Sequence, residues 1–164
     1  HILQNIIKSR KAFQWVFMGG HPLLLKPFID NGDIEFVNWS PLMYFANGMH
    51  DVGAQATVAA LADNNFNRAK SFIKHTEAGH LGIPFIGQDL NPYEDSWHKF
   101  TTGDEMIDQV KSTLTDTSTY MKDVVKHREY ADDFWLDDEK NILKHVEFYT
   151  TPYGSPDRKY LIEK

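Results

Sequence analysis

The sequence predicts an α/β domain with a mostly parallel, doubly wound sheet, helices on both of its faces and a C-terminal helical extension. Short β-type runs alternate with segments of helical spacing between residues 10 and 100, and this alternation is typical of βαβ units. The run at 52–61, VGAQATVAAL, is rich in small residues, as expected for a strand covered on both faces. Beyond residue 103 only helical spacing recurs, which predicts the extension.

The individual elements follow from the periodicity of apolar residues along the chain. Spacings of three and four residues indicate helices at 2–9, 22–30, 41–49, 103–114, 117–134 and 136–149. Runs of β-type residues indicate strands at 12–18, 34–37, 52–61, 83–87 and 99–101. The helix at 103–114 is expected to turn four apolar side chains inward, Met106, Ile107, Val110 and Leu114. Asp116 or Thr117 is a suitable cap for the helix that follows, and the tail from residue 151 is expected to be extended.

Length and composition indicate one globular domain spanning residues 1–164. The chain is 41% hydrophobic and 24% charged, as in ordinary folded domains. Its net charge of −6 argues against nucleic acid as a partner, because nucleic-acid-binding surfaces are usually basic. The absence of cysteine excludes disulfides and thiolate metal sites and suits a cytoplasmic location. No run approaches the roughly 20 apolar residues of a membrane span, so we expect no transmembrane segment, while peripheral membrane contact of a longer protein stays open.

The stretch 64–88, NNFNRAKSFIKHTEAGHLGIPFIGQ, predicts a polar loop, an amphipathic helix, a Gly-Ile-Pro turn and a strand. One stripe of this helix has the spacing of a core-facing surface and comprises Ala69, Phe72, Ile73 and Thr76. A second stripe carries charged and hydroxyl groups and comprises Lys70, Ser71, Lys74 and Glu77. Asn65 and Asn67 are suitable caps at the helix start, where unpaired amides and the macrodipole favour an anion. Two interpretations stay open: a diphosphate bound by Lys70 or Ser71, and a solvated helix face.

Four polar or glycine-containing segments are expected to meet at one edge of the predicted sheet. They follow successive strands, at residues 19–21, 38–40, 62–67 and 88–93. In doubly wound sheets, ligands bind beyond the carboxyl ends of the strands. The composition of these segments suits a cleft of the size of a nucleotide.

An ordered series of short motifs runs through the same region. It comprises Ala60-Leu61, Asp63-Asn64, Phe66-Asn67, Lys70-Ser71, Lys74, Glu77, Gly82-Ile83-Pro84 and Pro92-Tyr93. In order and spacing this series resembles the signature of the C-terminal, donor-binding domain of GT-B-type group-1 glycosyltransferases. The resemblance covers roughly residues 10–100 and implies a Rossmann-like fold that binds a nucleotide-diphosphate sugar.

The resemblance implies a donor site formed by Gly19, Gly20, Asn38, Trp39, Asn65, Phe66, Asn67, Lys70, Ser71, Lys74 and Glu77. In the family, the carboxylate at the position of Glu77 accepts hydrogen bonds from the ribose. The loop at 65–67 would lie beside the diphosphate and the donor sugar, and Lys70 and Ser71 are the candidates for phosphate contact. Lys74 is a further candidate or a partner of Glu77.

The remaining implied contacts belong to the first two strands. Asn38 and Trp39 stand where the family holds the nucleotide base. Gly19 and Gly20 would let the backbone approach the ligand closely. No cofactor and no metal ion is expected, because helix amides and lysine could stabilise the leaving diphosphate.

Two departures limit what the resemblance implies. Many group-1 enzymes carry a second carboxylate eight positions before the one at Glu77, and here that position is Ala69. Asp63 could replace it, so the catalytic residues and the stereochemical outcome, retention or inversion, stay unassigned. The first central strand of the family would precede His1, so either the fragment begins one strand late or its sheet is rearranged, and the family's N-terminal acceptor domain would also precede His1. We therefore expect a fragment that binds donor and transfers little without the other domain.

The sequence also allows alternatives to this interpretation. A nucleotide-sugar epimerase of the non-hydrolysing kind shares the architecture, and a non-catalytic α/β binding module would show an apolar edge in place of a ligand cleft. His75 and His80 are five residues apart, which does not place them on one helical face, and no third ligand accompanies them for zinc. His21 follows the two glycines and either faces the cleft or packs beside it.

Overall fold

The computed structural model describes residues 2–39 and 41–134 of the chain, as seven helices, two 3₁₀ turns and five strands. The helices are α1 (Ile2–Ser9), α2 (Lys26–Asp30), α3 (Leu42–Val52), α4 (Asn65–Arg68), α5 (Ile73–Leu81), α6 (Gly103–Thr115) and α7 (Thr117–Asp132). The strands are β1 (Val16–Gly19), β2 (Glu35–Asn38), β3 (Thr57–Ala59), β4 (Phe85–Gln88) and β5 (His98–Phe100). The 3₁₀ turns are Leu23–Leu25 and Asn91–Tyr93. Within these residues, none of the helices combines the length and the apolar character needed to cross a bilayer.

The described strands are parallel, as predicted, but they form two small sheets and not one. β1 pairs with β2, in a register that places Gly19 opposite Asn38. β4 lies between β3 and β5 in the second sheet. Phe17 of β1 and Val58 of β3 both pack on the same apolar cluster, so the sheets share a core without pairing their backbones. The α/β class is therefore confirmed.

Strand β3 is much shorter than the predicted strand at 52–61. Val52 ends α3, and Gly53 adopts a left-handed conformation with φ 63° while its N–H donates to the carbonyl of His50. This is a common helix ending, because glycine has no Cβ to clash in that conformation. Only Thr57–Ala59 pairs with β4. Residues 52–54 therefore form the end of α3 and the turn after it, and not part of a strand.

The amphipathic helix expected after residue 67 is broken into α4 and α5, and its predicted core stripe is wrong in three of four positions. The chain leaves helical conformation between Arg68 and Ile73. Phe72 and Ile73 are 38% and 56% exposed, and Ala69 is also exposed, whereas Thr76 is buried. The buried face of α5 instead comprises His75, Thr76, Ala78 and Gly79.

Close packing on α7 decides which face of α5 is buried. A Cβ on Gly79 would lie 2.3 Å from the carbonyl oxygen of His127 and 2.6 Å from the Cβ of Ala131. The backbones of α5 and α7 therefore approach more closely than any residue larger than glycine allows. The face that carries Gly79 can make this approach, and the stripe of Phe72 and Ile73 cannot.

The elements after residue 100 follow the prediction. Thr102 and Glu105 form a capping box at the start of α6. Met106 and Val110 are buried in the main core, while Ile107 and Leu114 pack against it. Asp116 caps α7, because its carboxylate accepts hydrogen bonds from the Ser118 N–H at 3.0 Å and the Thr119 hydroxyl at 2.7 Å. The helix predicted at 136–149 and the tail from 151 lie outside the described residues.

Candidate functional site

The ends of β1 and β2 bring together the first four predicted ligand-contacting residues. Gly19 and Asn38 are paired as the last residues of the two strands. Gly19 has φ 80°, and a Cβ there would lie 3.8 Å from Cδ1 of Trp39. A Cβ on Gly20 would meet no atom of the described residues within 4 Å, and Trp39 is 74% exposed. This edge therefore offers open backbone beside an exposed indole.

His21 does not extend freely from this edge. Its ring packs edge-on against Phe36 with the centroids 4.7 Å apart, and its Nδ1 lies 3.3 Å from the carbonyl oxygen of Pro22. The side chain is half-buried. Of the two expectations for His21, the structure favours packing beside the edge.

The loop after β3 is held by an asparagine that was not among the predicted caps. The side-chain oxygen of Asn64 accepts the N–H of Asn67 at 2.9 Å, which makes Asn64 the cap of α4. Asn67 itself is buried, and its amide nitrogen donates to the carbonyl of Ala62 at 2.8 Å. The Asn67 side chain thus fastens the loop and does not face solvent, whereas Asn65 and Phe66 are exposed.

The predicted anion site at the start of a long helix is not present in this form. α4 spans only Asn65–Arg68, and so short a helix has few aligned peptide dipoles to sum. Asp63, considered as a substitute carboxylate, instead forms an ion pair with Arg68, with Nη2 2.7 Å from Oδ2. Hydrogen bonding from the Arg68 guanidinium lowers the pKa of Asp63.

Lys70 and Ser71 lie in the segment between α4 and α5, and Lys74 lies in the first turn of α5. All three side chains are exposed. The ammonium of Lys70 lies 5.0 Å from the ring centroid of Phe66, an exposed cation–π contact of modest strength. Because the helix is broken between them, Lys70 and Lys74 are not successive positions on one helical stripe.

Glu77 lies on α5 beside the turn that follows β4. Its side chain is half-buried, and burial raises the pKa of its carboxyl while the charge of Lys74 lowers it to a smaller extent. The charge of Glu77 in turn contributes to raising the pKa of Tyr93, after the larger effect of burial. Tyr93 packs closely on β4, since a Cβ on Gly87 would lie 2.8 Å from its Cβ. The structure therefore gathers Glu77, α4 and the Asn91–Tyr93 turn at the second sheet.

Two further residues at this edge have roles that the sequence interpretation did not assign. The side-chain oxygen of Gln88, the last residue of β4, accepts the N–H of Leu61 at 2.9 Å. This bond ties the loop after β3 to the end of β4. Tyr93 anchors the turn after β4 through its burial. The Pro92-Tyr93 motif was the only sequence signal for the role of Tyr93, and no local signal indicated the role of Gln88.

A separate concavity of about 510 Å³ lies between α1 and α6. Its lining includes Asn5, Lys8, Asp104, Asp108 and Lys111. None of the residues predicted to contact the donor belongs to it. The concavity carries mixed charge and has no relation to the carboxyl ends of the strands.

A third group of side chains surrounds His75. Its ring is fully buried and stacked between the rings of Phe85 and Tyr130, and Trp97 and His127 meet it edge-on. Among residues 2–39 and 41–134 no group of three or more His, Asp or Glu is placed to hold a metal ion. His75 and His127 are remote in sequence, so no local spacing could reveal their contact.

Comparisons with protein-family models, with curated proteins and with solved structures find no match for this chain. The assignment of a function therefore depends on the geometry above and on the motif series of the sequence.

Proposed function

We propose that the chain binds a nucleotide-diphosphate sugar beyond the carboxyl ends of its parallel strands, as the donor-binding domain of a glycosyltransferase. The proposal includes a Rossmann-like, doubly wound arrangement and a further domain that supplies the acceptor. One observation carries it: the open backbone at Gly19 and Gly20 lies beside the exposed indole of Trp39 at the ends of β1 and β2. Parallel α/β folds bind their ligands at this edge.

In this proposal Trp39 and Asn38 hold the nucleotide base. The indole is 74% exposed and offers a flat face for stacking, an interaction worth about 1–3 kcal/mol per base in nucleic-acid complexes. Gly19 and Gly20 leave room for the base or ribose to approach the backbone, because in the part of the chain that the structure describes a Cβ at Gly20 would meet nothing within 4 Å.

The diphosphate is assigned to the exposed segment after β3. Lys70 is an exposed point charge there, with its ammonium 5.0 Å from the ring centroid of Phe66. Ser71 and Lys74 are exposed within four residues of it, and in this proposal the three act together on the diphosphate, in a chain of net charge −6. Negative charge that develops on a departing nucleoside diphosphate would be stabilised by these groups, so the proposed chemistry requires no metal ion.

Glu77 is assigned to the ribose, as an acceptor for its hydroxyl groups. Hydrogen bonds from hydroxyls favour the ionised carboxylate, whereas burial raises the pKa of free Glu77. Ligand binding and ionisation of Glu77 are therefore linked. Donor affinity should fall when the pH is lowered through the range in which Glu77 takes up its proton.

The test is nucleotide binding by the folded chain, measured as a thermal shift and by titration calorimetry with UDP, GDP, ADP and CMP. A nucleotide present at 100 times its dissociation constant should stabilise the fold by about 2.7 kcal/mol. Glu77→Gln should weaken binding at least tenfold with an unchanged circular dichroism spectrum. Glu129→Gln is the matched control, since Glu129 is an exposed residue of α7. A folded chain whose unfolding temperature no nucleotide raises would contradict the donor site.

A second candidate function is a non-catalytic module that docks a partner at the same edge. Large apolar side chains are exposed in the segments after β1, β2 and β3, at Leu23 (84%), Leu24 (55%), Trp39 (74%) and Phe66 (75%). Exposed apolar side chains that form one contiguous patch are typical of interaction surfaces. The same thermal-shift series separates the two functions, because a partner-binding surface predicts no response to any nucleotide.

A further inference from the structure

His75 lies at the centre of a closed aromatic cluster that joins α5, β4 and α7. Its fully buried ring stacks between Phe85 at 4.8 Å and Tyr130 at 4.2 Å, with both rings inclined by only 19°. Trp97 meets the edge of the imidazole at 5.5 Å and His127 meets it at 5.2 Å. We call these five residues the histidine cluster.

The hydrogen bonds of His127 require a neutral ring with one particular tautomer. The backbone N–H of Phe85 donates to Nε2 at 3.1 Å, so Nε2 carries no hydrogen. Nδ1 lies 2.8 Å from the carbonyl oxygen of Asp123, which can only accept, so Nδ1 carries the hydrogen. A proton added to Nε2 would oppose the Phe85 N–H and break the link between α7 and β4.

His75 has no means of accommodating a charge within the described structure. Among the described residues neither of its ring nitrogens has a hydrogen-bond partner, and a protonated ring would bury two N–H donors among aromatic side chains, one more than the neutral ring. The faces of Phe85 and Tyr130 attract a cation, but this attraction is weaker than the hydration that a buried charge loses. Burial, and to a smaller extent the nearby His127, lowers the pKa of His75 to about 4.

The charged and titratable groups around the histidine cluster do not offset the cost of burying a charge on His75. His98 of β5 stacks on His127 at 6.1 Å, and its Nε2 contacts the Asp123 carboxylate of α7 at 2.8 Å. Lys126 of α7 lies over Trp97 at 4.1 Å. Asp95 and Glu94, in the loop before β5, act on the Tyr130 hydroxyl and with burial raise its pKa to about 12. For His127, burial lowers the pKa more than the Asp123 carbonyl and carboxylate raise it.

The contact between α5 and α7 leaves little room for local adjustment. Gly79 of α5 faces the backbone of His127 so closely that an added Cβ would lie 2.3 Å from its carbonyl oxygen. Both imidazoles are fully buried beside this contact. Solvating a protonated ring requires the two helices to separate.

We propose that His75 and His127 form a pH-sensitive latch that holds α7 on α5 and β4 while both rings are neutral and releases α7 in acid. The latch depends only on contacts within these elements, so it is independent of any nucleotide. Histidine suits this role because its ordinary pKa lies close to physiological pH.

The first test follows the wild-type protein between pH 7.5 and 4.5 by histidine ring NMR and by hydrogen exchange. At pH 7.5 the ring of His127 should show the neutral tautomer with the hydrogen on Nδ1. Amide protection of α7, corrected for intrinsic rates, should fall by on the order of 10²-fold as the pH is lowered, while that of α6 is retained. Uptake of a proton by His75 near its ordinary pKa with α7 still protected would overturn the proposal. Equal loss of protection in α6 and α7 would also overturn it.

The second test removes the titrating groups while keeping their contacts. His75→Phe retains an aromatic ring in the stack, and His127→Gln retains one acceptor and one donor. The double variant should keep α7 protected at pH 4.5. His50→Gln is the control, because the side chain of His50 is 86% exposed on α3, and it should respond to acid like the wild type. A double variant that loses α7 in acid as the wild type does would refute the latch, and one that is unfolded at pH 7.5 leaves the decision to the ring titration above.

Discussion

Replacement of Gly79 by alanine tests the close packing of α5 on α7 most directly. In a solvent-exposed helix this change would stabilise the protein by up to about 1 kcal/mol, because alanine loses less backbone entropy than glycine. Here the new Cβ would lie 2.3 Å from the His127 carbonyl oxygen and 2.6 Å from the Ala131 Cβ. Both neighbours belong to a rigid, buried part of α7, so the helix itself would have to move.

The expected outcome is a net loss of about 1–3 kcal/mol in the free energy of unfolding, the usual cost of overpacking a core. Urea unfolding followed by circular dichroism measures it. Gly48→Ala is the matched control, since Gly48 lies within α3 and, among the described side chains, its Cβ would meet only the Met18 Cε, at 3.6 Å. That variant should be as stable as the wild type or more stable. Gly79→Ala with wild-type stability would refute the close approach of α5 and α7.

Three further predictions follow from the described contacts. Asn64→Ala should lower the free energy of unfolding by about 1 kcal/mol, because the α4 cap is lost. Asn65→Ala is the control at an exposed position and should change the free energy by less than about 0.5 kcal/mol. Urea unfolding of the two variants measures both changes. Gln88→Ala leaves the Leu61 N–H without its acceptor and should cost about 1 kcal/mol, seen also as faster hydrogen exchange at Leu61. Burial, with a smaller effect of His127, lowers the pKa of His75 from 6.5 to about 4. As the pH is lowered, this residue therefore takes up a proton in the unfolded chain before it does so in the folded one. The free energy of unfolding falls as the pH drops from about 6.5 to 4. The loss attributable to this ring is about 3 kcal/mol, and a His75→Phe variant that shows the same decline in pH-dependent unfolding would contradict it.

The parts of the fold that local signals specify were predicted well. The alternation of β-type and helical segments indicated an α/β class with parallel strands, and the described strands are parallel. The predicted cap Asp116 acts within one helical turn, so its role can be read directly from spacing. The apolar face of α6 follows the same rule, because every residue of that face belongs to one regular helix.

The predictions failed where the outcome depended on a distant neighbour. The stripe of Ala69, Phe72 and Ile73 has core-like spacing, but the chain is not helical between Arg68 and Ile73, and α7 selects the face of α5 that carries Gly79. Similarly, the small residues after Val52 could form a buried strand or a helix ending. The left-handed conformation at Gly53 decided in favour of the ending.

In the candidate site, too, the sequence predicted the features that depend on the order of residues along the chain and missed those that depend on tertiary contacts. The sequence placed Gly19 and Trp39 after successive strands, and parallel pairing then brings their backbones to one edge, since neighbouring parallel strands end together. It could not show that Asn67 is used to fasten its own loop or that Gln88 ties that loop to β4. Those roles depend on which donors and acceptors become neighbours after folding.

The sequence by itself determined the class of the fold, the parallel direction of the strands, the cap of α7 and the candidate residues of the edge, because these depend on contacts within a few residues. Only the tertiary structure decided the division into two sheets, the buried face of α5 and the enclosure of His75 by Phe85, Trp97, His127 and Tyr130. These depend on how closely two backbones approach and on which side chains remote in sequence meet. A single glycine on α5, Gly79, allows the close approach of α5 and α7, and the periodicity of the sequence does not indicate it.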